Sequence, residues 1–335
     1  MTDSGLLPRH RRSLLSLAVA AAGLALLVVS VRQAGWDSVV NSFRSLGSWI
    51  LVVVLLGAAR MAVRARAWTL CSRAQHDRGI PFRAALVAIL AGDALGNLTP
   101  LGVLASEPAK VVMGRRHVST AASLSSVAVE NGFYTASVAA MLLGGVWVML
   151  QRADVPPVLE QVGEGIVVAA LVGGLVALWV FRTRPAVLSR LAPLVGRLLR
   201  RPASPDALTA LEQSIYDVVH WPTARLAHVA AWEVLFHAAA VAEVWLVLRM
   251  IPGGEGTTLI EAFLMETTGR FITVAFKFIP YRLGIDEMGS GSVSQLLGLG
   301  ASAGVTLALV RRVRILLLNA VGVALLARDQ ATLEN

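Results

Sequence analysis

Uninterrupted apolar stretches about as long as a bilayer is thick recur along this chain, at residues 14–31, 49–63, 132–150, 166–181, 226–248 and from 303 onward. A span needs roughly 20 residues to cross about 30 Å of hydrocarbon. Water is absent there, so each segment must satisfy its own backbone polar groups, and a helix does so. Composition agrees: the chain is 56% hydrophobic and 15% charged, with a mean hydropathy of +0.68. A soluble domain carries about 25% charged residues. The sequence therefore specifies an all-α polytopic membrane protein. Stretch 49–63 is short, and Arg60 and Arg64 are expected to snorkel to the interface.

A net charge of +9 raises a nucleic-acid partner, but the arginines fall in short loops between spans. Positive-inside topology accounts for them without nucleic acid. Cys71 is the single cysteine, which excludes an internal disulfide and a multi-cysteine metal site. Arg9, Arg11 and Arg12 precede the first apolar run, which is long for a signal core and is followed by Val31-Arg32-Gln33 rather than small-x-small. It reads as an uncleaved signal anchor.

With a cytoplasmic N-terminus, the chain returns to the cytoplasm at the loop holding Arg64, Arg66, Arg73 and Arg78, and again at Lys110, Arg115 and Arg116. Residues 82–96 make a helix of only about 22 Å, too short to cross, and read as re-entrant. Segment 257–279 reads as a second re-entrant element, entered from outside, before a last span leading to a cytoplasmic C-terminus. Between them, residues 182–225 carry Arg182, Arg184, Arg190, Arg197, Arg200, Arg201 and Arg225. Leu188, Leu191, Leu194, Val195, Leu198 and Leu199 lie among these at helical spacing. This is either a cationic helix on the inner leaflet or a solvated loop helix. The expected organisation is a single integral-membrane domain over residues 1–335, with a first repeat at about 49–150, a linker at 182–225 and a second repeat at about 226–327.

The two interruptions of the apolar pattern resemble each other. The first, at residues 97–107, contains Pro100, Gly102, Ser106 and Glu107; the second, at 278–287, contains Pro280, Gly284, Asp286 and Glu287. In each, Glu follows Pro by seven positions, and Ser106 or Asp286 stands ready as the N-cap of a new helix. Pro100, Gly102, Pro280 and Gly284 are the expected hinge residues. Paired helix breaks in corresponding halves point to a substrate site near the bilayer midplane, and entry from opposite faces predicts inverted repeats. Residues 121–131 also lie weakly on 302–312, which aligns Glu130 with Arg311.

Ionisable residues at membrane depth cost at least about 2.5–3.5 kcal/mol and face a partner or a wet cavity. The ionisable candidates are Arg60, Asp93, Glu107, Glu130, Glu266, Arg270, Arg282, Glu287, Arg311 and Arg312, and the polar Asn97 joins them on the helix face of Asp93. One reading pairs them internally, Glu266 with Arg270 and Glu130 with Arg311, and they then only lock the bundle. The other has surplus arginines holding a headgroup phosphate, which their planar fork binds bidentately. Glu107 and Glu287 either complement a helix N-terminus or face a cationic group.

Catalytic and metal assignments find little support. Glu233 and His237 are four apart, but Glu243 lies about 240° round the helix from His237, so no third metal ligand shares their face. No nucleotide loop, nucleophile elbow or zinc motif is present, and no cofactor is expected.

The run Arg60-Met61-Ala62-Val63-Arg64-Ala65-Arg66-Ala67-Trp68, then Pro81-Phe82-Arg83-Ala84-Ala85, then both breaks, resembles the integral-membrane region of lysylphosphatidylglycerol synthases. That family includes standalone flippase-like proteins, and the similarity runs from about 13 to 327. The resemblance implies a two-repeat fold with re-entrant helices that moves aminoacyl-phospholipids or related glycolipids between leaflets. Two departures stand out: the first break lacks the family's arginine, and the second carries Arg282 where glycine is usual. The expected function is flippase-like movement of an anionic or zwitterionic phospholipid or glycolipid headgroup through a charged cleft, in a bacterial-type inner membrane. A homodimer or a lipid-modifying enzyme is the expected protein partner. The alternatives are a membrane-embedded transferase on a lipid or polyprenyl phosphate, with Asp93, Glu107 or Glu287 as base, and a non-catalytic partner of a cell-envelope enzyme.

Overall fold

The computed structural model describes residues 32, 36–75, 79–98, 102–151, 157–190, 205–277, 279 and 282–334. The first apolar run, Pro100, Pro280, and the Arg197, Arg200 and Arg201 part of the linker lie outside them. Among the described residues every regular element is helical. In chain order these are α1 (Trp36–Leu46), α2 (Trp49–Gln75), α3 (Phe82–Leu98), α4 (Val103–Gly114), α5 (Thr120–Leu150) and α6 (Pro157–Thr183). There follow α7 (Val187–Arg190), α8 (Pro205–Tyr216), a 3-10 turn at Asp217–His220, α9 (Thr223–Met250), α10 (Leu259–Ala275), α11 (Ile285–Leu296) and α12 (Ala301–Glu334).

Among the described residues three helices are long and apolar enough to cross a membrane: α5, the Glu160–Thr183 part of α6, and α9. Helix α6 shows why lipid must surround it. Leu171, Leu175, Leu178 and Trp179 each stand more than half exposed, an apolar surface that suits hydrocarbon and not water. Helices α2 and α12 are also long, at 27 and 34 residues, but Arg60, Arg64 and Arg66 interrupt one and Arg311, Arg312 and Arg314 the other.

Helix lengths recur in order. Helices of 27, 17, 12 and 31 residues (α2 to α5) are matched by helices of 28, 17, 12 and 34 (α9 to α12). At 1.5 Å per residue each 17-residue helix is about 25 Å long, short of the hydrocarbon thickness.

The chain divides into two compact units. Unit 1 holds Met1–Gly57, Asp93–Ala105 and Val241–Val321; unit 2 holds Ala58–Gly92, Ser106–Ala240 and Gly322–Asn335. The core of unit 2 is rich in small residues, with Ala65, Ala85, Ala88 and Ala91 around the buried Trp68 and Ile89. Small side chains let helix backbones approach, which drives packing where lipid is as apolar as the core. Trp68 Nε1–H donates to Ser126 Oγ at 3.0 Å, so its one polar atom is satisfied. Ser119 caps α5 by accepting from the Ala122 N–H at 3.1 Å. In the linker, α8 packs on α5, and the Tyr216 hydroxyl donates to the Pro185 carbonyl at 2.7 Å. Burial pushes the Tyr216 phenol above its ordinary value, and the charge of Glu212 adds to this.

In unit 1, Thr258 and Glu261 form a reciprocal capping box at the start of α10. Helices α10 and α11 pack together. Helix α12 crosses α11 so closely that a Cβ at Gly304 would lie 2.0 Å from the Ser290 carbonyl oxygen.

The breaks differ from the sequence reading in their caps. Helix α4 starts at Val103, so Ser106 and Glu107 lie inside it. Gly102 lies so close to α3 that a Cβ there would meet the Gly96 carbonyl oxygen. Helix α11 starts at Ile285, so Gly284, at φ +79°, holds the N-cap position in place of Asp286. Glu287 is the third residue of that helix, and its Oε2 accepts from the Gly284 N–H at 2.8 Å. The carboxylate thus satisfies the N-cap N–H, one half of a capping box; glycine has no side chain to supply the other half by accepting from the third-position N–H. Arg282, two residues earlier, has φ +48°, in the left-handed region that non-glycine residues seldom occupy.

Candidate functional site

Each unit contains a buried set of charges. In unit 1, Glu266 of α10 is 2% exposed and is bridged by two guanidiniums. Arg270 Nε donates to its Oε1 at 2.8 Å, and Arg311 of α12 donates to its Oε2. Helical spacing places Arg270 one turn after Glu266 on the same face. Gly269 makes room for the second arginine, since a Cβ there would lie 2.6 Å from Arg311 Nη1.

One residue along α12, Arg312 Nη2 lies 2.6 Å from Oε1 of the fully buried Glu287. Among the described residues Arg312 Nε, Nη1 and Nη2 make no hydrogen bond of good geometry, and neither does Glu287 Oε1. Buried donors of this kind are costly unless something accepts from them. Arg282 Nε donates to Asp286 Oδ1 at 3.3 Å, and Arg314 pairs with Glu243 of α9. Asn97 Nδ2 donates to Asn319 Oδ1 at 3.3 Å, tying α3 to α12. Asp93, on α3 in the same unit, is partly buried.

In unit 2, Arg64 of α2 forks onto Glu130 of α5 with contacts of 3.0, 3.1 and 3.3 Å, and its guanidinium covers the Tyr134 ring at 4.5 Å. Arg60, 4% exposed, lies over Phe236 at 4.6 Å. Neither arginine snorkels. An aromatic ring holds each guanidinium within the protein, and for Arg64 the carboxylate fixes it there. Glu107 accepts from Lys110 Nζ at 3.1 Å and from Asn131 Nδ2 at 2.8 Å. The stem of Lys110 lies against Gly92, where a Cβ would stand 3.0 Å from Lys110 Cγ.

The sequence-predicted residues therefore gather in two sets. Glu266, Arg270, Arg311, Glu287, Arg312 and Arg282 are ion-paired in unit 1, while Arg60, Glu107 and Glu130 have local partners in unit 2. The expected Glu130–Arg311 pair gives way to Glu130–Arg64 and Arg311–Glu266, because each charge finds an opposite one on a neighbouring helix of its own unit. Arg64, Asn131, Glu243, Asp286 and Arg314 join the site residues.

The two sets share a register. Glu107 reaches Asn131, the twelfth residue of α5, and Glu287 reaches Arg312, the twelfth residue of α12. Gly92 and Gly269 are each the eleventh residue of a 17-residue helix, and each lies against a cationic side chain. Chemically, the guanidiniums of unit 1 suit an anion and its carboxylates suit an amine.

Helices long and apolar enough to span, one of them with a broadly exposed apolar surface, define a polytopic helical membrane protein. The sequence matches the family described as lysylphosphatidylglycerol synthase TM region over residues 13–322, and the chain belongs to that family. Comparison with curated proteins and with solved structures gives no match. Membership makes this a membrane protein of a lipid-related family.

Proposed function

We propose that this protein moves a lipid headgroup across the bilayer, flippase-like, with the charged seam of unit 1 as the headgroup site. The observation that carries the reading is Arg312, whose buried guanidinium nitrogens have no well-formed hydrogen bond among the described residues although Glu287 lies 2.6 Å away. A phosphate oxygen is a natural acceptor for such donors, and arginine keeps its charge in an apolar setting. Arg270, Arg282 and Arg311 surround the passenger with further donors, and Glu266 and Glu287 offer carboxylates to an amine-bearing headgroup. Acyl chains stay in lipid while the headgroup crosses.

The matched helix lengths and the Glu107–Asn131 and Glu287–Arg312 register support two repeats, and it is the expected entry of the two breaks from opposite faces that would make them inverted. The short helices α3 and α10 support re-entrant elements that turn back at the breaks. In this reading both termini are cytoplasmic, the membrane is a bacterial-type inner membrane and the lipid is the principal partner. No catalytic step is assigned to the chain.

The test is reconstitution into vesicles carrying a fluorescent phospholipid, with leaflet exchange read by a membrane-impermeant quencher. Arg270→Ala, Arg311→Ala and Arg312→Gln should each reduce exchange by at least about tenfold, the equivalent of 1.4 kcal/mol. Rates equal to wild type in all three, with unchanged helicity and monodispersity, refute the assignment.

A further inference from the structure

A second polar cluster lies in unit 2, between α5 and α9, both long and apolar enough to span. Ser137 Oγ is 2.8 Å from the Tyr134 carbonyl oxygen, 3.0 Å from His237 Nε2 and 3.3 Å from Glu233 Oε2. A hydroxyl has one hydrogen to donate and two lone pairs to accept with. When Ser137 donates to an ionised Glu233, the His237 contact must be an Nε2–H donating to Ser137. When Ser137 turns its hydrogen to the Tyr134 carbonyl, the Glu233 contact requires a proton on Glu233 itself. The orientation of one hydroxyl is thus tied to the protonation of a carboxyl that is 2% exposed.

The surroundings contain other ionisable groups. Helix α2 contributes Arg60, which covers Phe236; Arg64, which pairs with Glu130; and the buried Cys71 thiol, which clusters with Val129 and Val229. Helix α5 contributes Glu130 and Tyr134, whose ring stacks on His237 at 6.3 Å. Helix α6 packs on α5 with Gly163 against Val146, so its acids Glu160 and Glu164 attach near the opposite end of α5. The imidazole is also packed edge-on by Phe236 at 5.3 Å.

The geometry points to a proton-binding site made of Glu233, His237 and Ser137. One proton from bulk water binds either at Glu233 or at the unprotonated ring nitrogen of His237, and the cluster becomes more positive by one charge. No covalent bond to carbon forms or breaks. The Ser137 hydroxyl passes the proton between carboxylate and imidazole by giving up its own hydrogen on one side and receiving one on the other. Carboxylate and histidine chains at membrane depth are the usual material of proton relays, and imidazole titrates in the physiological range. Resting on the lipid-transport reading, the site would couple lipid movement to a pH difference across the membrane.

The decisive experiment is infrared difference titration of the full-length protein in nanodiscs between roughly pH 5 and 8. A protonated-carboxyl band should grow as pH falls, disappear in Glu233→Gln and shift its midpoint in Ser137→Ala, which is the milder variant for folding. Identical titrations in wild type and folded Glu233→Gln overturn the site. The same protein in vesicles with an imposed pH difference should exchange labelled phospholipid severalfold faster in one direction of the gradient, and Glu233→Gln should lose that asymmetry. Symmetric exchange in wild type overturns the coupling. A normal titration with no lipid exchange at all supports the proton site and instead counts against the transport reading.

Discussion

Arg64→Met isolates what a buried ion pair is worth in this protein. The substitution leaves Glu130, 3% exposed, without the guanidinium that now reaches it at 3.0 to 3.3 Å. Removing one partner of a buried pair costs about 3–5 kcal/mol, and the lost contact with the Tyr134 ring is worth about 0.5–2 kcal/mol. The single variant should therefore be destabilised by about 4–6 kcal/mol. Glu130→Leu alone strands Arg64 but leaves it over Tyr134, and should cost about 3–4 kcal/mol. The double variant replaces the pair with apolar groups and should recover to within about 2 kcal/mol of wild type, the remaining deficit being the ring contact. Detergent-denaturant unfolding in micelles, followed by far-ultraviolet circular dichroism, measures all three against wild type. If the double variant is as unstable as the sum of the singles, the two residues are not coupled and the reasoning from burial is wrong.

Gly269→Ala should cost about 1–3 kcal/mol in the same assay, because its Cβ would push Arg311 off Glu266. Gly132→Ala, where a Cβ meets nothing within 4 Å, should instead stabilise by up to about 1 kcal/mol through helix propensity. Asn97→Leu and Asn319→Leu should each cost about 0.6–1.7 kcal/mol, and the double variant little more than either, as a single interhelical hydrogen bond requires.

Apolar length made α5, α6 and α9 legible, and the Pro–Gly–Glu spacing located both breaks to within a few residues. Contacts were harder to read. Arg60 and Arg64 looked like interfacial arginines because a linear pattern reports depth and not what faces a side chain. Glu130 and Tyr134, four apart on α5, form the surface that receives Arg64, and only packing brings them to it. The expected Glu130–Arg311 pair had a related origin: the two residues occupy equivalent places in the two halves, and equivalence is not proximity. Asn131 and Ser137 carry no charge to attract notice, yet one holds Glu107 and the other links Glu233 to His237. The cap of α11 was misassigned because Asp286 is a good N-cap in isolation. With Gly284 at φ +79° as N-cap, the helix begins two residues earlier than an Asp286 cap allows, and the Glu287 carboxylate reaches back to the Gly284 N–H.

Arg282 gives the second break the character of a cocked spring. A non-glycine residue at φ +48° holds about 1–3 kcal/mol of backbone strain, and the ion pair to Asp286 at 3.3 Å opposes its release. An anion that draws the guanidinium away from Asp286 removes that restraint in the same event. In the transport reading proposed above, recognition of a passenger and recoil of the chain at the start of α11 would be one mechanical step, with no separate trigger to connect them.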